Sequence, residues 1–292
     1  MIAYFILSPY FAKKHFLLQL YPKDLAEALD FQFIRTQLAK LCSSARAKDM
    51  ALELQPIQDL SALRKTLKET DQILSLLLSD ENFPNLEHPP LGAFLPRISI
   101  KGHALREEQY AEIRSLALNY RDIRRFIDGK KDRLPALWRN LEVLFSEKTV
   151  IEEIDRVIDD RAQVRSNASP ELQKIRRDLI KKRASAERIF QRSLKKMRDK
   201  GILADFDESV SESRRVLAIQ SAYKGQVQGI QHGSAHRQSM TLIEPGETVE
   251  INNQITELIE DEQEEIKRIL RELSAILSPY RAHLEEIETQ LV

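Results

Sequence analysis

A single cysteine, Cys42, stands in 292 residues, which excludes an intramolecular disulfide framework and a cysteine-based zinc site. The lone thiol fits a reducing cytoplasm. Beside Leu41, Ala45 and Ala47 it reads as a small buried hydrophobe rather than a reactive group. Glycine is scarce too: only eight are present, and Gly201, Gly225, Gly229, Gly233 and Gly246 crowd into residues 201–246. Departure from helix is expected there. The net charge is zero, so no global field calls for nucleic acid or membrane. The apolar run Met1–Leu7, broken off by Pro9 and Lys13-Lys14, is too short to span a bilayer and lacks the charged start of a secretory signal. Residues 1–20 are expected to be an N-terminal extension. Neither Gly-x-x-x-x-Gly-Lys-Ser/Thr nor Gly-x-Gly-x-x-Gly occurs, and no Ser/His/Asp arrangement rises above chance. The chain is therefore expected not to be an enzyme by itself, with no catalytic residue, metal or cofactor of its own.

Charge, by contrast, is abundant at 31%, and its two signs are segregated. Residues Glu171–Lys200 hold twelve Lys/Arg against four Asp/Glu, whereas Glu247–Gln290 hold twelve Asp/Glu against four Lys/Arg. Ser169, Pro170 and Glu171 form a helix start: a capping hydroxyl, a proline at the first position and an acid at the positive dipole end. Leu172, Ile175, Leu179, Ala186, Phe190, Leu194 and Met197 then make a near-heptad stripe that Lys182-Arg183 interrupts. At about 1.5 Å per residue this arm reaches roughly 45 Å. The acidic arm carries Ile255, Ile259, Ile266, Ile269, Leu273, Ile276, Leu284, Ile287 and Leu291 at similar spacing, with a kink expected at Pro279. Between the arms, residues 215–220, 226–231 and 239–243 read as strands, with Tyr223-Lys224-Gly225 as a turn and Pro245-Gly246 as a stop.

Upstream, helical patterns dominate. Asp24 is placed to cap a helix bearing Leu25, Leu29, Phe31, Ile34, Leu38 and Leu41. Asp59 to Ser61 opens another, with Leu63, Leu67, Ile73, Leu76 and Leu77 on one face. Residues 80–90 form a proline-rich loop, 98–102 a short extended segment, and 105–127 a helix ended by Asp128-Gly129-Lys130. Short helical pieces over 134–150 carry Trp138 as a core anchor. The fold class is thus mainly α: a helical core over residues 21–148, then a long antiparallel helical, coiled-coil-like lever over 149–292 with a small antiparallel β tip at about 204–246.

The chemistry-bearing residues gather on the second part. Lys181, Lys182 and Arg183 belong to a basic helix that serves either as a phosphate footprint or as the partner of the acidic arm. Arg214, Arg215, Lys224 and Arg237 surround the tip glycines, where backbone can approach a ligand. His232 and His236 have the spacing of paired metal ligands, but they flank Gly233-Ser234 in a loop with no intervening Glu, so polar contact is the expected role. Asp159-Asp160 reads as a solvated face.

Several motifs resemble the second bacterial MutS paralogue family, MutS-II. They are Val216-Leu217-Ala218-Ile219 with Ala222-Tyr223-Lys224-Gly225, Gly229-Ile230-Gln231-His232, and Thr241-Leu242-Ile243-Glu244-Pro245. Val249-Glu250-Ile251-Asn252-Asn253 is similar to the start of its descending lever helix, Asn167 to Arg176 to the ascending one, and Leu54-Gln55-Pro56 to Asp71 to its N-terminal core. The resemblance runs from about Leu20 to the end. It implies a core, lever and clamp, with the family's ATPase, its ATP and Mg, and its Smr nuclease domain lying outside this chain. It also implies a cytoplasmic homodimer acting on branched or mismatched DNA or engaging stalled ribosomes through rRNA, with no membrane. The chain departs from the family at Gly233, where Asp is usual, at Ala235 to Gln238, at Arg161-Ala162 in place of a glycine, and at Ser166 in place of Asp.

Overall fold

The computed structural model describes residues 24–42, 45–57, 59–79, 81, 83–84, 90–141, 147–235 and 239–290. The protein is mainly helical with one small antiparallel sheet. The chain divides into two compact units, one drawn from residues 1–100, 109–152 and 277–292 and the other from 101–108 and 153–276.

In the first unit, α1 (Leu25–Ala28), α2 (Phe31–Leu41), α3 (Ala45–Leu52) and α4 (Leu60–Leu77) precede a 3-10 turn at Leu95–Ser99. The single helix expected from Asp24 is broken at Asp30, which takes a left-handed conformation with φ 51°, and Asp24 makes no capping bond. The extended segment expected at 98–102 begins as that 3-10 turn instead. Pro96 sits near its start, and the three-residue spacing puts Leu95 and Ile98 together in the core. The long α5 (Glu107–Asp128) supplies the centre of this unit. Tyr110, Ile113, Leu116, Ala117, Tyr120, Ile123 and Ile127 recur every three or four residues and are buried. Tyr120 Oη donates to the Leu141 carbonyl at the end of α6 (Pro135–Leu141), 2.9 Å away. Trp138 is half-buried, and Cys42 is half-buried with its thiol on the Leu38 carbonyl. The last helix, α10 (Arg281–Gln290), also belongs here: buried Glu288 accepts the Leu91 N–H at 2.7 Å.

α7 (Glu147–Val157) leads into the second unit. Asp159 closes the turn that follows, its Oδ1 accepting the N–H groups of Arg161 and Gln163, both at 2.9 Å. These bonds hold its carboxyl below the ordinary value. Asp159 is thus a turn organiser. Ala162 in this turn has φ 56°, the left-handed region that costs an L side chain roughly 1–2 kcal/mol. Ala162→Gly is expected to stabilise the protein by about 0.5–1 kcal/mol, readable as a raised midpoint in urea.

α8 (Pro170–Asp199) starts as its sequence dictates: Ser169 Oγ accepts the Leu172 N–H at 3.0 Å, and Pro170 follows. Six of the seven apolar stripe residues are buried, Ala186 being intermediate. α9 (Gly246–Leu277) runs antiparallel to it, because cross-helix bonds pair rising numbers with falling ones: Ser169 with Glu265, Arg176 with Glu262, Lys182 with Gln254 and Ser193 with Glu247. The helix stops at Leu277, and a 3-10 turn, Ser278–Tyr280, contains Pro279.

Four strands lie between α8 and α9, in the order β1-β2-β4-β3: β1 (Leu203–Ser211), β2 (Arg214–Gln220), β3 (Gly229–Ala235) and β4 (Met240–Pro245). All pairings are antiparallel. The expected turn at 223–225 falls within a 3-10 segment, Ser221–Gln226. β1 was not expected. Its Asp205, Asp207 and Glu208 mask the alternation, and a register shift between Leu203 and Glu208 breaks it further. Phe190, Leu194, Met197, Ile202, Leu203, Leu217, Ile219, Val227 and Ile243 close a single core between the end of α8 and the sheet.

Candidate nucleic-acid interface

The tip arginines are drawn inward. Arg214, at the head of β2, places Nη1 3.1 Å from both carboxylate oxygens of Glu244 and donates from Nη2 to Asn253 Oδ1 at 2.8 Å. Glu244 lies in β4 and is fully buried, with 0% exposure. Its carboxylate also accepts Asn252 Nδ2 at 2.8 Å and lies 2.9 Å from His232 Nε2. Burial alone pushes this carboxyl up, but the hydrogen bonds from Asn252, His232 and Arg214 outweigh it and hold it below its ordinary value. An ionised carboxylate only accepts, so His232 Nε2 must carry a proton. The network ties β2, β3, β4 and the first turns of α9 into one piece.

Arg215 is likewise engaged. Its guanidinium stacks on the Phe190 ring, 4.3 Å from the centroid, and donates to Glu187 of α8 and Glu208 of β1. The hydrogen bond to Glu187 is the main reason that the Arg215 pKa is raised and that of Glu187 lowered. Glycine plays a parallel part. A Cβ at Gly229 would fall 2.0 Å from the Glu244 carbonyl oxygen, so this glycine lets β3 approach β4. Gly233, with φ 139°, sits at the register shift of the same pair.

The other candidates lie elsewhere. Lys224 is exposed in the 3-10 segment, and His236 and Arg237 fall outside the described residues. Lys182 donates to Gln254, Lys181 lies 3.9 Å from Asp178, and exposed Arg183 lines an open cleft of about 430 Å³ with Phe190, Arg215, Asn252, Ile255 and Ile259. Among the described residues, no group of three or more His, Cys, Asp or Glu side chains is arranged to hold a metal. No helix among them is long and apolar enough to cross a membrane.

The opposite charges of the two helices meet in only two ion pairs among the described residues, Arg176–Glu262 at 2.6 Å and Lys196–Glu247 at 3.8 Å. Most of the rest are short-range pairs within a helix, such as Lys174–Glu171 and Arg268–Glu265. This leaves a stripe that a count of charges does not show. Lys174, Arg177, Lys181, Arg188, Arg192 and Lys195 are all exposed. At about 100° per residue they share a sector of roughly 60° on α8, opposite the buried stripe, and extend over roughly 30 Å. Arg192 and Lys195 have no ion pair among the described residues. Spacings of three, four and seven would have revealed the stripe in the sequence.

No family model matches the chain. It is 30% identical over 272 residues to a protein named Endonuclease MutS2 from Agathobacter rectalis, covering 90% of this chain and 34% of that protein. Proteins of the same name from Finegoldia magna and a Geobacillus species are each 28% identical, covering 86% and 89% of this chain and 32% and 34% of their own lengths. These homologues support a relationship to the MutS2 family. The chain spans about a third of the length of the relatives it matches.

Proposed function

We propose that this chain is the non-catalytic core, lever and clamp segment of a MutS2-like protein. In this reading it holds the phosphate backbone of branched or mismatched DNA, or of rRNA in a stalled ribosome. The observation that carries the reading is the six-cation stripe on α8, on an antiparallel helical pair capped by a cross-braced sheet. A row of Lys/Arg along one helix face is the electrostatic footprint of a polyanion. Contact shifts accordingly from the tip arginines to the helix: Lys181, Arg192 and Lys195 touch phosphate, Lys224 and Arg183 extend the field, and Arg214, Arg215 and His232 hold the clamp's shape. ATP hydrolysis and nuclease cleavage belong to other parts of such a protein.

The test is binding of this chain to branched DNA and to ribosomes at low and moderate salt. Replacing Lys181, Arg192 and Lys195 by Ala is expected to weaken binding and to flatten the dependence of log K on log salt by about 0.9 per residue for duplex DNA. Absence of binding to both targets, or an unchanged slope in the triple variant, would refute the assignment.

A further inference from the structure

The seam between α8 and α9 opens near its middle. Lys182-Arg183 interrupt the apolar stripe of α8, and the next stripe residue is only Ala186. Ile255 and Ile259 of α9 stay half-buried there, in the wall of the open cleft of about 430 Å³. The lining lies wholly within the second unit, and the volume is that of a small-ligand site. Its walls are fixed in advance. Lys182–Gln254 and Ser193–Glu247 bonds tie α8 to α9 just before and just after the α8 lining residues, and the Arg215 guanidinium covers the buried Phe190 ring. Three polar groups of the lining have no hydrogen-bond or ion-pair partner among the described residues: the Arg183 guanidinium, the Ser213 hydroxyl and Asn252 Oδ1. The orientation of the Asn252 amide is set, because Nδ2 donates to Glu244 at 2.8 Å and an ionised carboxylate only accepts. Ser213 is held against its backbone preference. It and Glu212 form the two-residue turn between β1 and β2, with φ 63° and 47°, where Asn-Gly is the relaxed pair. Glycine at 213 would ease the turn and remove the hydroxyl.

We propose that this cleft binds the C-terminal end of a peptide whose last residue is apolar. Three groups radiate from the α-carbon of such a residue, and each has its match. The carboxylate meets the planar fork of Arg183, the apolar side chain meets Phe190, Ile255 and Ile259, and the amide N–H donates to Asn252 Oδ1. The Ser213 hydroxyl donates to the carbonyl of the preceding residue. Charge selects a carboxylate over a phosphate. Arg215 is already engaged by Glu187 and Glu208, and Glu187 itself lines the cleft, so Arg183 is the one cation left to a ligand among the described lining residues. It balances a monoanion, whereas a phosphate dianion would leave a negative charge unbalanced beside Glu187. Arg183 also lies roughly 120° or more around α8 from the cation stripe, on 100° per residue. The inference therefore goes beyond the proposed nucleic-acid function, in which Arg183 only extends the field, and does not rest on it.

Calorimetric titration of the full chain with a short peptide ending in leucine tests the cleft, beside the same peptide amidated at its C-terminus and adenosine monophosphate as a competing anion. Saturable binding of the free acid, and none of the amide at the same concentrations, is expected. Arg183→Gln should weaken the acid by about tenfold or more, with far-ultraviolet circular dichroism unchanged because the side chain is exposed. Ser213→Gly should weaken it by about threefold or more while raising the midpoint of urea unfolding. Those opposite signs distinguish a binding serine from one that merely shapes the turn. No saturable binding of the acid, equal affinity for acid and amide, or indifference to Arg183→Gln overturns the proposal. Adenosine monophosphate binding more tightly than the acid overturns it as well and gives the cleft to a nucleotide.

Discussion

Gly229→Ala is expected to cost about 3 kcal/mol and to loosen β3 from the sheet. The added methyl would sit 2.0 Å from the Glu244 carbonyl oxygen and 2.9 Å from Ile243 Cγ2. Backbone cannot turn away as the end of a long side chain can, so the strand itself must move. The movement is transmitted directly to chemistry: β3 carries His232, and β4 carries the carboxylate to which His232 is bonded. Hydrogen exchange should show lost protection along β3 and β4, with α8 the least affected. Gly225→Ala is the control. A Cβ there meets nothing within 4 Å, and an effect within about 0.5 kcal/mol is expected. If both variants melt alike, the close approach at Gly229 is not what holds the strand.

Arg214→Ala should be nearly as damaging, at about 2–3 kcal/mol. Glu244 is fully buried, and removing Arg214, its only fixed cation among the described residues, leaves the charge with Asn252 and His232 as partners. The figure sits at or below the lower end for broken buried pairs, because Asn252 and His232 remain and Arg214 keeps partial contact with water. The pH dependence follows with a definite sign. The Glu244 carboxyl titrates below its ordinary 4.5 in the folded protein, so it binds fewer protons than the unfolded chain as pH approaches that value. Its contribution is present above the unfolded value and is lost as pH falls through the folded one. Arg214→Ala should therefore move the onset of acid unfolding to higher pH, and Glu244→Gln should flatten that limb while lowering stability at neutral pH. An unchanged acid limb in both variants would show that this carboxylate is not coupled to folding.

Both variants also separate architecture from contact. If Arg214 shapes the clamp, its loss should change stability and nucleic-acid affinity together. Loss of Arg192 or Lys195, which are exposed, should change affinity and salt slope with stability held within about 0.5 kcal/mol. The two groups cannot be told apart by charge or position in the chain, only by what lies around each side chain.

The local features came directly from residue order. Ser169-Pro170-Glu171 starts a helix because a hydroxyl cap, a fixed φ and a dipole-matched acid act within one turn. The periods of α5 and α8 show which face is buried, because 3.6 residues per turn is a property of the backbone alone. Pro279 ends α9 for a reason equally local, the missing N–H and the ring. Tertiary structure alone decided the partners of the charged and apolar groups. Arg214 and Arg215 read like contact residues until Glu244, Glu187 and Glu208 are brought to them across 30, 28 and 7 positions. Gly229 serves a neighbouring strand because of a pairing that no local pattern encodes. Leu60, Leu67, Leu74 and Leu77 of α4 have core spacing and yet are exposed. Periodicity states that an apolar face exists, and the fold determines whether anything within the chain covers it.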